Sequence, residues 1–480
     1  MCGLVGIFDT KGRRPVDAAS LGRMNATLTH RGPDGEGQHI EPGLGLGHRR
    51  LSIVDIGGGQ QPMVNPHTGT VVTYNGEIYN FKALREELTG KGHQFQTQCD
   101  TEVILYAWEE WGKECVSHFN GMFAFALWDP RQETLFIARD ALGKKPLYYA
   151  QQPDGMLLFA SELRALTALP EVEREIDPQA VSAFFAYGYV PDPLSIYRSI
   201  RKLPPGHRMI CQRGTPPLLE PWWDIDLNTE TPTAADLLAH LDQAVSSRMV
   251  ADVPLGAFLS GGVDSSAVVT SMAAASDTAV KTVAIGFDSL DHDETDHAQT
   301  IATLCGTDHT ERQVSAEDFD LIDHLAATYD EPFGDISALP TLQLCQTTRQ
   351  EVTVALSGDG GDEVFAGYRR YLWHMREEGI RQWLPAGLRK AVFGLLGRLY
   401  PRLDNAPSFL RAKHTFQELA LSDVDAYFLS VAITDNEERK ALLSANLLAA
   451  LGNDDPADIL RAHWTLPRRT TPLKRPNTQT

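Results

Sequence analysis

The chain changes rhythm near residue 212, and that change constrains the fold more than any other feature. From Met1 to about Arg213, short apolar runs are separated by Gly, Pro and Asn: LVGIFD, LGLGHRRLSIVDI, TVVTYNGEIYN, MFAFALWD, TLFIARD, PLYYA and MLLFASE. Runs of this kind predict strands. Two stretches, FKALREELTGKG and DTEVILYAWEEWG, instead carry apolar residues at i, i+3 and i+4 and predict helices. An α/β or α+β sandwich follows. Next comes QRGTPPLLEPWWDIDLNTETPT, rich in Pro and Thr, whose Trp222 and Trp223 can pin it to a neighbouring surface. Beyond it strands alternate with helices: VPLGAFL then SSAVVTSMAAA, KTVAIGF then ETDHAQTIATLCG, VTVALS then DEVFAGYRRYLW. This predicts a parallel sheet covered by helices, with a helical, loop-rich region after about Arg381. The expected boundaries are a domain over 2–212, a linker over 213–233 and a second domain over 234–480.

A chain of 480 residues exceeds what one core organises. With 43 Lys and Arg against 63 Asp and Glu, its net charge is −20, which argues against nonspecific attraction to nucleic acid or anionic lipid and favours small-molecule partners. The six cysteines lie too far apart for a CxxC motif and are too sparse for a disulfide scaffold, so a reducing cytoplasm fits. The start, MCGLVGIFDT, is not built like a signal peptide, and no apolar run approaches the ~20 residues a spanning helix needs. The expectation is a cytoplasmic enzyme with no membrane insertion. DHDETDH, with His292 and His297, reads as an acidic surface turn rather than a metal site, and Cys305 and Cys345 read as core.

Removal of Met1 would leave Cys2 with both a thiol and a free α-amine. An α-amine titrates near neutrality and can take the thiol proton, after which the thiolate attacks an amide carbonyl to give a thioester. Alone, a second-position Cys more often reads as a buried or incidental residue. Other segments change the balance. HRRLSIVD offers Arg50, whose guanidinium suits a carboxylate. YNGEIYN offers the Asn75 amide and the Gly76 N–H as an oxyanion hole, with Glu77 for a substrate ammonium, and CDTEV offers Asp100 for the same charge. Asn-Gly is also a common hairpin turn and RGPDGEG a common loop composition; their conjunction carries the weight.

MCGLVGIFD, HRGPDGEG, RLSIVD, NGEIYN and DTEVI resemble the class II glutamine amidotransferase domain, an N-terminal-nucleophile hydrolase with an αββα sandwich. The resemblance implies that Cys2 is the glutaminase nucleophile and that Asn75 and Gly76 hold the oxyanion. It further implies that Arg50, Leu51, Ser52, Ile53, Val54, Glu77 and Asp100 bind glutamine.

AFLSGGVDSSAVV places a Gly-rich turn between an apolar run and a helix, so that Ser260, Gly261 and Gly262 can turn backbone N–H groups towards a phosphate. It is not a Walker loop, because Asp264 stands where a base would be needed; an acid there suits Mg²⁺. ALSGDGGDEVFAGY repeats the logic with Ser357, Gly358, Asp359 and Asp362. Two β-to-α turns using Gly for geometry alone explain either loop, but not readily both. SGGVDSS resembles the pyrophosphate-binding loop of the PP-loop ATP pyrophosphatases.

Together, the two halves resemble the glutamine-hydrolysing asparagine synthetase family, over nearly the whole chain. The resemblance implies ATP binding at Leu259, Ser260, Gly261, Gly262, Asp264, Ser265, Ile285, Ser357 and Gly358, and Mg²⁺ carboxylates at Asp264 and Asp362. Asp359 matches an acidic position tied to the β-aspartyl-AMP intermediate, where some members carry Glu. It also implies glutamine, ATP and a carboxylate acceptor, aspartate, as partners, and is compatible with a homodimer. HRRLSIVDIGGGQQP, GYVPDPLSIYRSIRKLPPGH and SGDGGDEVFAGYRRYLWHM resemble a bacterial subgroup found beside exosortase and exopolysaccharide gene clusters, whose acceptor need not be free aspartate. The tail, TLPRRTTPLKRPNTQT, lacks the Lys-x-Asp-Arg motif and the later lysine that the family leads one to expect. A one-base shift from Arg469 can spell DDPLEAAQYTDL, which resembles the family, so the expectation is a synthetase domain shortened by a frameshift, with glutaminase chemistry better retained than synthesis. A β-lactam-forming cyclase and an inactive glutamine- or nucleotide-binding protein are the alternatives.

Overall fold

The structure is a computed structural model describing residues 1–226, 232–287, 295–314, 321–401 and 412–464. His292, part of the expected linker and the tail from 465, on which the expectation of a shortened domain rests, lie outside the described residues.

In chain order, β1 is Gly3–Asp9, β2 Gly35–Glu41, β3 Leu44–Arg50, β4 Met63–Val64, β5 Val71–Ile78 and β6 Gly121–Asp129. They are followed by β7 Thr134–Arg139, β8 Tyr148–Gln151, β9 Met156–Ala160, β10 Arg201–Lys202, β11 His207–Gln212 and β12 Leu218–Pro221. These form two six-stranded sheets, ordered β10-β8-β9-β1-β3-β2 and β12-β11-β7-β6-β5-β4, with antiparallel pairing throughout.

Period-two alternation explains why the sheets stack. Leu4 and Phe8 of β1 point towards Ala124, Ala126 and Trp128 of β6, and this inter-sheet core is shut off from solvent. Their neighbours Val5 and Ile7 turn the other way, against Leu21, Met24, Leu163 and Leu166 of the helices Ala18–Ala26 and Leu163–Thr167. Phe123, Phe125 and Leu127 of β6 likewise pack against Leu84, Leu88, Ile104 and Trp108 of the helices Phe81–Gly90 and Thr101–Trp111. The result is the four-layer αββα sandwich.

A third sheet follows: β13 Leu255–Phe258, β14 Lys281–Phe287, β15 Asp308–Val314 and β16 Val354–Leu356. It is parallel, in the order β15-β14-β13-β16. The chain runs outward from β13 to one edge and then returns to its other side, so the strand order reverses between β13 and β16. Ligands of open α/β sheets sit at such a reversal, beyond the carboxyl ends of the strands. The helices Ala234–Ser247 and Val263–Ala275 cover the sheet, burying Val245, Val269 and Met272 against Ala257 and Ala284.

These elements belong to one compact unit, comprising 1–180, 189–224 and 232–359. The described part of the second unit holds 181–188 and the helices that follow Gly360, among them Arg369–Trp383, Ala386–Leu399, Asp423–Val431 and Ala457–Trp464. Within it Ala186, Phe428 and Ala457 are buried together, the Tyr187 hydroxyl donates to the Pro456 carbonyl at 2.8 Å, and Arg461 pairs with Asp425 at 2.6 Å.

Several local readings are corrected. The apolar run LSIVDI is not a strand after Arg50, because the Arg50 guanidinium draws the chain into a loop by donating to the Val54, Asp55 and Ile56 carbonyls. GEG, whose composition suits a loop, opens β2, GEGQHIE, an edge strand whose exposed face carries Glu36, Gln38 and Ile40. The Pro- and Thr-rich stretch contains β12, paired with β11, and Trp222 is pinned there, stacked on Phe123 with its indole N–H on the Arg139 carbonyl at 3.1 Å. Cys345 is exposed, not a core residue, while Cys305 is half-buried against the core of the parallel sheet.

Candidate active site

Cys2 stands at the head of β1, where the register sets Gly3 against Arg49 of β3. It opens into a cavity of about 340 Å³ bounded by Arg50, Leu51, Ile53, Val54, Asn75, Gly76, Glu77 and Asp100, so the structure gathers these expected glutamine-site residues around the thiol. Ser52 does not line it; its backbone nitrogen is held by the Asp34 carboxylate at 2.8 Å.

The Cys2 thiol sits over the Leu51 peptide, receiving its N–H at 3.4 Å and facing its carbonyl at 3.6 Å. Burial pushes the thiol's pKa up, so Cys2 needs a base to become a nucleophile. The α-amine beside it, that of Met1, is pushed down to about 5 by burial, with Arg31 and Lys145 adding repulsion. An amine in this setting is neutral at physiological pH and able to accept a proton.

On the facing strand, β5 places Asn75 opposite Ala124 and Gly76 opposite Phe123. Asn75 is 1% exposed, and its Nδ2 has no hydrogen-bond partner among the described residues. A buried donor left unpaired in a cavity wall costs stability unless a ligand completes it. Gly76 cannot carry a side chain, because a Cβ would lie 2.7 Å from the Phe123 Cα and 2.8 Å from the Tyr74 ring.

Asp100 is nearly sealed and accepts from the Tyr74 hydroxyl at 2.7 Å and from the Ile78 N–H at 3.0 Å. Burial raises its pKa. Burial and then Asp100 push Glu77 to about 7. Two carboxylates sharing a desolvated cavity form a receptor for a cationic group such as an α-ammonium. Arg50 is less free than its position suggests, since its terminal nitrogens are spent on the carbonyls of the 54–56 loop; it shapes the pocket through that loop. The loop is held a second time by Asp252, whose backbone N–H donates to Ile53 O at 2.9 Å and whose carboxylate takes the Asp55 N–H at 2.8 Å.

Lys145 also lines the cavity and went unseen in the sequence. It is 4% exposed, its Nζ lies 3.0 Å from the Met1 sulfur, and burial lowers its pKa to about 8, against the pull of Glu77. No signal in GKKPLYY separates it from a surface lysine.

In the third sheet, Leu259 follows β13, and Gly261 turns the chain with φ +78; a Cβ there would lie 2.6 Å from the Ala298 nitrogen. Gly262 caps the helix Val263–Ala275, placing Asp264 in its first turn. The Ser260 and Ser265 hydroxyls meet at 3.0 Å and close the loop. The loop after β16 comes to the same place, for a Cβ on Gly358 would lie 2.7 Å from the Ser265 nitrogen. Ser357 donates to the Asp359 carboxylate at 3.0 Å. Ile285 lies on β14, next to β13 in the sheet. Asp362 belongs to the second unit, in the short helix Gly361–Val364, and is exposed there. Among the described residues, no cluster of three or more His, Cys, Asp or Glu forms a ready metal cage.

The glutamine-type cavity is also walled by Thr353, Val354 and Ala355, so β16 borders Cys2's cavity and then leads to Ser357 and Gly358.

A thiol-bearing αββα sandwich joined to a parallel sheet with two glycine loops at its strand reversal defines a class: glutamine amidotransferases fused to a nucleotide-dependent synthetase. Residues 1–223 match the glutamine amidotransferase domain family and residues 236–471 match the asparagine synthase family. Asparagine synthetase (glutamine-hydrolyzing) 1 of Bacillus subtilis is 31% identical over 92% of this chain and 70% of its own length. A Methanocaldococcus jannaschii protein, provisionally named asparagine synthetase (glutamine-hydrolyzing) 2, is 37% identical over 81% of this chain and 79% of its own. The chain belongs to the glutamine-hydrolysing asparagine synthetase family.

Proposed function

We propose that this chain hydrolyses glutamine at Cys2 and delivers the ammonia to a carboxylate activated by ATP, aspartate being the acceptor that yields asparagine. The observation that carries this reading is the cavity itself, where Cys2, the unpartnered Asn75 amide and the Glu77–Asp100 pair share one space with the strand that feeds the second glycine loop.

After removal of Met1, the Cys2 amine takes the thiol proton and the thiolate adds to the side-chain carbonyl of glutamine. The negative oxygen that forms is met by Asn75 Nδ2 and the Gly76 N–H, donors that do not have to reorganise. Collapse of the adduct releases ammonia, with the amine returning the proton, and leaves a thioester that water cleaves to glutamate. Glu77 and Asp100 hold the substrate ammonium, while the 51–54 loop closes over its other end.

In the synthetase half, Ser260, Gly261, Gly262, Ser357 and Gly358 present backbone N–H groups and hydroxyls to the phosphates. At Gly261 and Gly358 a Cβ would meet the backbone of 297–298 and of 264–265, so these glycines let the two loops pack closely on their neighbours. Asp264, in the first turn of the helix after the first glycine loop, is a carboxylate that would hold Mg²⁺, which neutralises phosphate charge when bound; the family resemblance alone assigns Asp362 the same task. The acceptor carboxylate attacks the α-phosphorus, pyrophosphate leaves, and ammonia then displaces AMP from the acyl-adenylate. Asp359, whose carboxylate accepts from the Ser357 hydroxyl, is the acid assigned here to the handling of the acyl-adenylate. Because ammonia is a nucleophile only while unprotonated, a passage that excludes water is needed, and we assign its start to Thr353–Ala355, which wall the Cys2 cavity.

The test is a reaction with amide-¹⁵N glutamine, ATP and aspartate. Labelled asparagine with equimolar AMP and pyrophosphate supports the reading, and Cys2→Ala must abolish labelling while leaving synthesis from ammonium chloride. Pyrophosphate release with an acidic polysaccharide fragment but not with aspartate moves the acceptor to the other carboxylate class.

A further inference from the structure

Away from Cys2 and the glycine loops, a group of buried charges joins the sandwich to the segment Tyr329–Asp335. Arg164, at the start of the helix Leu163–Thr167, grips Asp330 twice: its backbone N–H donates to the carboxylate at 2.9 Å and its guanidinium pairs with the same group. The guanidinium also takes the Ala327 and Thr328 carbonyls at 2.7 and 3.1 Å. The next residue, Glu331, is gripped from elsewhere in the sandwich: Lys202 Nζ of β10 lies 2.6 Å away, the Ile196 N–H 2.8 Å and the Tyr148 hydroxyl of β8 3.3 Å.

The Asp330, Glu331 and Lys202 side chains are only 10–11% exposed, while Arg164 reaches in from a position 30% exposed. Desolvating such charges costs about as much as their attraction returns, and apolar residues of similar size would hold the contact equally well. What charges add is a single register. Contacts at either end give that register a direction. Glu162 pairs with Arg164 at 3.2 Å and with Arg31 at 2.7 Å, and Arg31 donates to the carbonyl of Cys2 at 2.9 Å. At the other end, Asp335 accepts from the Ser337 N–H at 2.8 Å at the start of the helix Ala338–Thr348, which runs on to β16 and the second glycine loop.

We propose that Asp330 and Glu331, held by Arg164 and Lys202, are positioning residues that keep the nucleotide-binding half in register with the Cys2 cavity, so that glutamine cleavage is matched to amide formation. This rests on the amidotransferase reading. Arg164 and Asp330 touch neither cavity nor loops, so each half reaction survives their loss while the connection between them does not.

The experiment uses the full chain and compares Arg164→Gln, Asp330→Asn and the double variant with wild type. Glutamate released per amide formed, amide formation from ammonium chloride, and melting temperature are measured. The expected result is a glutamate-to-amide ratio raised about threefold to tenfold, with ammonia-driven synthesis kept, and a double variant no worse than the worse single one. If these variants do not fold, Lys202→Met and Glu331→Gln give the same readout from the other arm. Folded variants with a wild-type ratio overturn the proposal. A wild-type chain that makes no amide from either nitrogen source overturns the amidotransferase reading and takes the proposal with it, whereas amide synthesis by wild type beside variants of unchanged ratio overturns the proposal alone.

Discussion

A Cβ on Gly358 would lie 2.7 Å from the backbone nitrogen of Ser265, so the loop after β16 packs directly on the first turn of the helix opened by the loop after β13. The obstacle is backbone, which has no rotamer to yield. Gly358→Ala therefore pushes the two loops apart by a fraction of an ångström. Misplacement on that scale costs about 10²-fold in a reaction that depends on alignment. ATP–pyrophosphate exchange in the presence of acceptor is expected to fall by that order, with glutamine hydrolysis unchanged. Equal losses in both assays would place the damage in folding rather than in the loops.

Asn75 makes the opposite prediction for stability. Its buried Nδ2 has no partner to lose, so Asn75→Ala removes an unsatisfied donor at little folding cost, and the melting temperature is expected to hold or rise slightly. Catalysis suffers instead: loss of one oxyanion donor costs about 10²–10³ in kcat. Steady-state glutaminase kinetics beside a thermal melt separate the two effects. A large drop in melting temperature would mean that the amide is structural.

On the proposed reading, Glu77 sets the pH dependence of glutamine binding. Burial and Asp100 raise its carboxyl from 4.5 to about 7, so between those values the empty folded chain holds a proton that the unfolded chain has released. Stability from this group is therefore lost as pH rises through that window, and Glu77→Gln flattens that part of the profile. A bound ammonium favours the ionised carboxylate, so binding expels the proton. KM for glutamine is expected to rise as pH falls below about 7, by at most about tenfold per pH unit, and Glu77→Gln to bind weakly with that dependence removed. A wild-type KM flat between about pH 5.5 and 7 would show that Glu77 does not meet the substrate charge.

The sandwich and most of its cavity were legible because their chemistry is contiguous in sequence. Asn75, Gly76 and Glu77 sit on one apolar strand, and Cys2 opens another, so period and motif point to the same place. What escaped notice depends on register between distant segments. Lys145 reaches the cavity through the β7–β8 connection, and Asp330 meets Arg164 across 166 positions; neither has a local pattern to betray it. Strands β2 and β15, GEGQHIE and DHTERQV, lie at sheet edges and are mostly polar, so they carry no run of apolar residues that would mark them as strands. LSIVDI failed the other way: its apolar residues are there to wall a pocket, and the carbonyl bonds to Arg50 outweigh their strand propensity.

Lys145 completes the charge balance around Cys2. Burial lowers its ammonium from 10.5 to about 8, so below about pH 8 the folded chain keeps a proton at a cost, on the order of 3 kcal/mol, which disappears as pH rises towards 10.5. Lys145→Met is thus expected to melt higher than wild type at pH 7, with the advantage fading in alkali. The same charge lowers the Glu77 carboxyl, so its removal should carry Glu77 further up and move the acid limb of the glutaminase profile to higher pH. At pH 7 the variant should lose glutaminase kcat/KM, and part of the loss should return at about pH 8.5 as Glu77 ionises again. Log(kcat/KM) against pH for the two proteins decides it. An acid limb that does not move would show that Lys145 fills the cavity wall without setting its charge, and any lost activity would then come from packing.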